Sequence, residues 1–248
     1  IGDRAFGAAP ELVGEMGSAT IGGLQDNMVV ACGKHFPGHG DTATDSHKEL
    51  PVVDAGLQRL RDTEFPPFQQ AIRYGVASLM TAHVLYRALD PEAPATLSSA
   101  VIQRLLREEF RYEGVVFTDD LEMHAIIDHD GIGKAGVRSF VAGCDVLLIC
   151  KDKDRVMTAM QAMERAVKDG RITQERLDQS LARVAKLKVR YLHPYKPVTI
   201  SDARLVVGCR SHKVLLDSWH KAYARIPKPT LVERGQAAPA HDSPVTHV

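Results

Sequence analysis

Neither sign of charge prevails in this sequence: 31 lysines and arginines meet 31 aspartates and glutamates over 248 residues. There is no net field to gather nucleic acid or an anionic membrane, so small neutral ligands are the better fit. Long apolar runs are missing as well. The longest hold about six residues, against the roughly 20 that a membrane-spanning helix needs, and no membrane span is expected. Cysteine is scarce, and Cys32, Cys144, Cys150 and Cys209 form no CxxC pair. That spacing argues against a disulfide or zinc framework. Three of the four lie in or beside apolar strand-like runs, which predicts reduced core thiols in a cytoplasmic protein. An exported form stays open, because the chain begins at Ile1 and not at a methionine.

What is present is enough apolar residue, 44% of the chain, to bury the core of one large domain or two small ones. Strand-like runs at 28–32, 76–80, 114–117 and 145–150 alternate with helical patterns at 10–24, from 67, from 98 and at 134–142. Repeated βα alternation with continuously apolar strands predicts a parallel sheet covered on both faces. Two further helices are expected at 154–168 and 174–192. Thr173 is placed to cap the second, while Ile172 reaches Leu177 as a hydrophobic staple. Beyond Pro194 the pattern weakens, and from Ile226 the chain is rich in proline, alanine and polar residues, which predicts a disordered tail.

Reactive side chains gather where strands end. Lys34 and His35 follow the first apolar run, Thr81 and His83 the second, Asp119 and Asp120 the third. The carboxyl ends of parallel strands open on one face, so these groups are expected to converge there. The stretch KHFPGHGDTATDSH at 34–47 concentrates three of the eleven histidines with two aspartates and two glycines. Pro37, Gly38 and Gly40 break any helix, which places His35 and His39 in a loop and excludes the paired histidines of a helical HExxH site. Asp45 and His47 are two apart, so on extended backbone they share a side. A carboxylate there can orient an imidazole whose other nitrogen gives or takes a proton. A solvated loop histidine satisfies the same spacing.

The stretches IGDRAFG (1–7), KHFPGHGDTATDSHKELP (34–51), SLMTAHVLY (78–86) and GVVFTDDLEMHAI (114–126) resemble the glycoside hydrolases of family three, in particular the bacterial β-N-acetylhexosaminidases. The likeness runs from Ile1 to about Tyr191. It implies an α/β fold, a (β/α)8 TIM-type barrel. About four strand–helix units precede Pro194, so the resemblance further implies that the first strands of that barrel are absent and the chain is truncated at its N-terminus. The expected organisation is a partial barrel over 1–193, an extension over 194–225 and the tail over 226–248.

The same resemblance implies the chemistry. Asp119 would be the nucleophile, His47 the general acid/base and Asp45 its assistant, while Arg4, Lys34 and His35 would hold the sugar. Asp120, His83 and Met123 would lie beside the site. The implied reaction is retaining release of terminal β-linked N-acetylglucosamine from cell-wall or chitin-derived oligosaccharides, muropeptides included, without cofactor or metal. A histidine in place of the second carboxylate carries no negative charge to repel an anionic acceptor, so an N-acetylglucosaminide phosphorylase is an alternative, as is a β-glucosidase of the same family. Outside it stand a metal-dependent barrel hydrolase using His35, His39, His47, His83 and Asp119, and a silent sugar-binding remnant.

Two other patterns carry less. GIGKAG at 131–136 matches a dinucleotide fingerprint but follows the polar DHD and not a strand. Asp128 and Asp130 before Gly131 resemble a calcium loop, yet Ser139 stands where its glutamate belongs. Both predict only a polar loop around 128–131.

Overall fold

A computed structural model describes residues 5–42 and 50–225, except for the side chains of His129 and Tyr223. These residues form two compact units that divide between His193 and Pro194. In the first, helix α1 (Pro10–Gln25) leads into strand β1 (Cys32–Phe36). After β2 (Val52–Val53), α2 (Leu57–Asp62) and α3 (Phe65–Arg73) comes β3 (Ser78–Thr81). Then follow β4 (Leu85–Tyr86), a π-helix (Ala100–Glu109), β5 (Val115–Asp120), α4 (His124–Ala142), β6 (Val146–Leu148), α5 (Lys153–Lys168) and α6 (Gln174–Leu192).

The sheet is parallel throughout, in the order β1-β3-β5-β6, with a separate parallel pair of β2 and β4. Helical crossovers therefore carry the chain back to the amino end of the sheet before each next strand of the order, the connection parallel strands require. Phe36, Leu79 and Val116 from three neighbouring strands are fully buried, together with Leu60, Phe65, Ile102 and Leu106 from the helices. Phe36 meets the rings of Phe68 and Phe110 edge-on, at 5.2 and 6.1 Å, the favoured aromatic arrangement. Helix starts follow the sequence signals. Thr173 Oγ1 accepts the Arg176 amide at 3.2 Å, Ser98 Oγ accepts that of Val101 at 3.2 Å, and buried Ile172 packs with Leu177.

The amino ends of the strands are pinned by one carboxylate. Asp145, just before β6, is wholly buried; its Oδ2 accepts Val116 N at 3.0 Å and Arg107 Nη2 at 2.7 Å. Its Oδ1 accepts Ser180 Oγ at 2.5 Å and Arg183 Nη1 at 3.1 Å, with Arg176 Nη1 at 3.7 Å. Arg107 also donates to the carbonyls of Tyr112 and Gly114, and Arg176 to those of Phe140 and Cys144. A buried charge is tolerated when it is paired and its lone pairs are filled. Here the pairing also joins the π-helix, β5, β6 and α6.

Three expectations need correction. The first strand is 32–36, not 28–32: Met28 takes φ 61° and Val29 N bonds to Leu24 O, so the apolar residues 28 and 29 close α1. Lys34 and His35 consequently sit within β1 and not in the loop after it. Residues 128–131 are not an extended loop but a kink: α4 is two helical segments that meet at Gly131, φ 66° and ψ 155°. Asp130 pairs across that kink with Lys134 and Arg138 of the second segment. Of the thiols expected in the core only Cys144 is buried, whereas Cys32 and Cys150 are exposed, because β1 is an edge of the described sheet and Cys150 lies past the end of β6.

The second unit holds α7 (Ile200–Val206) and α8 (Arg210–Tyr223). Thr199 and Asp202 form a capping box at the start of α7. The expected disordered tail, 226–248, lies outside the described residues. No described helix is long and apolar enough to cross a membrane.

Candidate functional site

Asp119 is the penultimate residue of β5, at the carboxyl end of the sheet. Its Oδ1 accepts the amide of Asp120 at 2.9 Å, which turns Oδ2 toward β1. There it lies 3.5 Å from His35 Nε2, with the Asp119 side chain 21% exposed and that of His35 10%. β1 and β5 are not neighbours; β3 lies between them. The pairing of β1 with β3 slips between Gly33 and Phe36, and such an irregularity re-aims side chains at a strand end. It aims His35 across β3 at the carboxylate.

The two adjacent aspartates differ in use. Asp120 Oδ1 accepts the amide of Glu122 at 3.1 Å and its carbonyl accepts that of Met123 at 3.1 Å, so Asp120 closes the turn into α4. Glu122 in turn accepts Lys151 N at 2.6 Å and Arg155 Nη1 at 3.3 Å, tying this turn to the one after β6. Asp119 is the carboxylate presented to solvent and to His35. Below it, His83 is fully buried, and burial lowers its pKa from the ordinary 6.5, against the smaller opposing influence of the Asp120 carbonyl and of Asp119 and Asp120.

The turn after β1 is held from beneath. Tyr86 donates to the Gly38 carbonyl, His39 Nδ1 lies 3.1 Å from Thr42 Oγ1, and the rings of His35 and His39 meet edge-on at 5.5 Å. Arg59 bridges Asp41 at 2.9 Å and Glu64 at 2.7 Å. Burial raises the Glu64 carboxyl above its ordinary value, with Arg59 opposing. Gly38 has φ 141°, and a Cβ there would fall 2.7 Å from the Glu64 side chain. Gly38→Ala should therefore cost about 1–3 kcal/mol in urea denaturation through backbone strain and contact with Glu64.

Of the residues singled out in the sequence, the structure brings His35 to Asp119 and sets His83 and Asp120 behind them. Lys34 is on the same strand, exposed, and makes no ion pair with a described residue. Arg4, Asp45 and His47 lie outside the described residues, so the acid/base dyad does too. The braces Arg59, Glu64 and Tyr86 went unread. A charged helix residue and a strand-end tyrosine carry no signal of their own until the turn they support is seen.

The candidate site lies at the carboxyl ends of the strands. Two hollows, of about 720 and 330 Å³, lie elsewhere: one between α4 and α5, the other at the amino ends of the strands beside Tyr191. Among the described residues no three His, Cys, Asp or Glu side chains converge closely enough to hold a metal ion. What the arrangement offers chemically is a carboxylate with one oxygen fixed by a main-chain amide and the other open beside an imidazole. Such a group can attack an electrophilic carbon or stabilise positive charge on it.

Comparison with known proteins agrees in kind. The family described as Glycosyl hydrolase family 3 N terminal domain matches residues 1–187. A beta-hexosaminidase of Nitrosomonas eutropha is 37% identical over 190 residues, covering 75% of this chain and 54% of the relative. One from Alkalilimnicola ehrlichii is 40% identical over 161 residues, covering 65% and 46%. The chain thus spans about half the length of these curated relatives. Among solved structures, a glycoside hydrolase family 3 beta-N-acetylglucosaminidase from Paenibacillus sp. str. FPU-7 superposes with a TM-score of 0.78 at 45% identity, over 79% of this chain and 38% of that one.

Proposed function

Since the chain belongs to glycosyl hydrolase family 3, we propose that the intact protein is a retaining β-N-acetylhexosaminidase with Asp119 as its nucleophile. The substrate is a terminal β-linked N-acetylglucosamine on a cell-wall or chitin-derived oligosaccharide, muropeptides included. In this reading β1, β3, β5 and β6 are an arc of a (β/α)8 barrel, which accounts for reactive groups at the carboxyl ends of successive strands. The four thiols are unpaired, which suits a reducing cytoplasm.

The observation that carries the proposal is the approach of Asp119 Oδ2 to His35 Nε2, 3.5 Å, with Oδ1 held by the Asp120 amide. Asp119 Oδ2 forms a bond to the anomeric carbon as the bond to the leaving oxygen breaks, and His47 gives that oxygen its proton. Water then attacks the glycosyl–Asp119 ester, returning its proton to His47 and freeing the carboxylate. Asp45 orients the imidazole. His35, with Lys34 and Arg4, binds the sugar hydroxyls, and its ring faces Asp119 Oδ2. A histidine, with an ordinary pKa near 6.5, serves both half-reactions near neutral pH.

Proton NMR of an aryl N-acetyl-β-glucosaminide digest tests this. The first sugar released should be the β-anomer, and the corresponding aryl glucoside should react far more slowly. An α-anomer, or a preference for the glucoside, contradicts the proposal. Adding inorganic phosphate separates the acceptors: a hydrolase yields free sugar only, a phosphorylase a glycosyl phosphate.

A further inference from the structure

Behind the site stands a closed set of polar groups that the reaction above does not use. Thr81, His83 and Thr96 are each fully buried. His83 Nε2 lies 2.9 Å from the carbonyl oxygen of Asp120, Nδ1 lies 2.8 Å from Thr96 Oγ1, and Thr96 Oγ1 lies 2.8 Å from Thr81 Oγ1. Thr96 Oγ1 is also 3.0 Å from the carbonyl of Ala82.

Proton counting fixes most of this network. A carbonyl only accepts, so Nε2 carries a hydrogen and donates to Asp120. The groups facing His83 are the carboxylates of Asp119 and Asp120 on β5, which favour a second proton, and His39 after β1, which opposes it. Burial has the largest influence and lowers the pKa, which favours the neutral ring, in which Nδ1 is a lone pair. Thr96 has one hydroxyl hydrogen. With the ring neutral it goes to Nδ1 in place of the Ala82 carbonyl, to which Thr96 Oγ1 can also donate at 3.0 Å, and Thr81 then donates to the Thr96 oxygen.

We infer that His83 is a positioning residue for the nucleophile, holding Asp120 by its carbonyl so that the Asp120 amide fixes Asp119 in its attacking orientation. The hydrogen bonds run without a break: Thr81 to Thr96, Thr96 to His83, His83 to Asp120 O, Asp120 N to Asp119 Oδ1. Asp119 Oδ2 is left directed at the cleft and His35. The Asp120 carboxylate is engaged by Glu122 N and its carbonyl also accepts Met123 N from the turn into α4, so His83 is the contact that holds this carbonyl from the buried side. The inference rests on Asp119 being the nucleophile. It adds that catalysis depends on one tautomer of a histidine that never touches substrate.

Glutamine can imitate the Nε2–H donor, asparagine only the Nδ1 position, and leucine neither. In the intact protein His83→Leu and His83→Asn should lower kcat by about a hundredfold, the scale of a misplacement near 1 Å, with KM changed less than threefold. His83→Gln should recover at least tenfold of that loss. Thr96→Val, which keeps volume if the leucine variant does not fold, should lower kcat about tenfold and release the tautomer. Nitrogen-15 NMR should show His83 as a neutral Nε2–H ring at about pH 7, titrating below the ordinary 6.5 in the wild type, and a mixture of tautomers in Thr96→Val. Variants that lose stability but keep wild-type kcat, no rescue by glutamine, or a ring that protonates near pH 6.5 would each overturn the inference. Labelling of Asp119 by a fluorinated sugar is a separate readout, so the nucleophile can stand while the role of His83 falls.

Discussion

Asp119→Asn should lower turnover of an aryl N-acetyl-β-glucosaminide by roughly 10⁴-fold or more, the cost of deleting a nucleophile. The fold should be unaffected. Asparagine is nearly isosteric, and its carbonyl oxygen can still accept the Asp120 amide that Asp119 Oδ1 accepts now. What disappears is the charge on Oδ2, the atom facing His35. Asp120→Asn is the matched control one residue on. Its side chain accepts Glu122 N and is hydrogen-bonded to the Cys150 thiol, contacts an amide can keep, so the loss should stay within about tenfold. Steady-state kinetics on both variants measure the contrast, and equal losses would mean that the two carboxylates share the work.

The largest effect on stability is expected at the other end of the sheet. Asp145→Ala leaves Arg107 and Arg176, 8% and 12% exposed, without the carboxylate between them. Removing one member of a buried ion pair costs about 3–5 kcal/mol, out of the roughly 5–15 kcal/mol that holds a domain folded. Burial already depresses the pKa of both guanidinium groups, with Asp145 opposing, so they bear this desolvation uncompensated once the carboxylate is gone. Urea denaturation should show the loss. The Asp145 side chain meets β5 at Val116 N, three residues and about 10 Å along the strand from Asp119. Whatever fraction remains folded should therefore keep its kcat. A variant that is stable but inactive would contradict this division between a structural end and a reactive end.

The two ends were unequally legible in the sequence. The strand-end position of Asp119 could be read because three successive strands end in polar groups and because parallel strands share a direction. Asp145 could not. A lone aspartate before a strand looks like a solvated terminus, and Arg107 and Arg183 each stand 38 residues away, beyond any local pattern. The start of β1 was misplaced for the opposite reason. The run Met28–Val29–Val30–Ala31 has strand composition, but a left-handed Met28 and the bond from Val29 to Leu24 spend its first residues on ending α1. The apolar residues are the same; the hydrogen bonds decide. Polar DHDG suggested a loop because glycine breaks helices; the break is there at Gly131, but it is a single-residue kink bridged by ion pairs from Asp130 to Lys134 and Arg138. His83 was legible as a residue near the site and not as a donor to Asp120, since its role depends on burial and on Thr96, 13 positions on.

The central claim is a covalent bond between Asp119 and the sugar. Incubating the intact protein with a fluorinated N-acetylglucosaminyl fluoride, which slows breakdown of the intermediate more than its formation, and mapping the peptides by mass spectrometry reads it directly. The account predicts one glycosyl mass on the peptide holding Asp119, absent in Asp119→Asn and released in time with recovery of activity. A label on any other residue, or continued turnover of the ordinary substrate with no adduct at all, would contradict it.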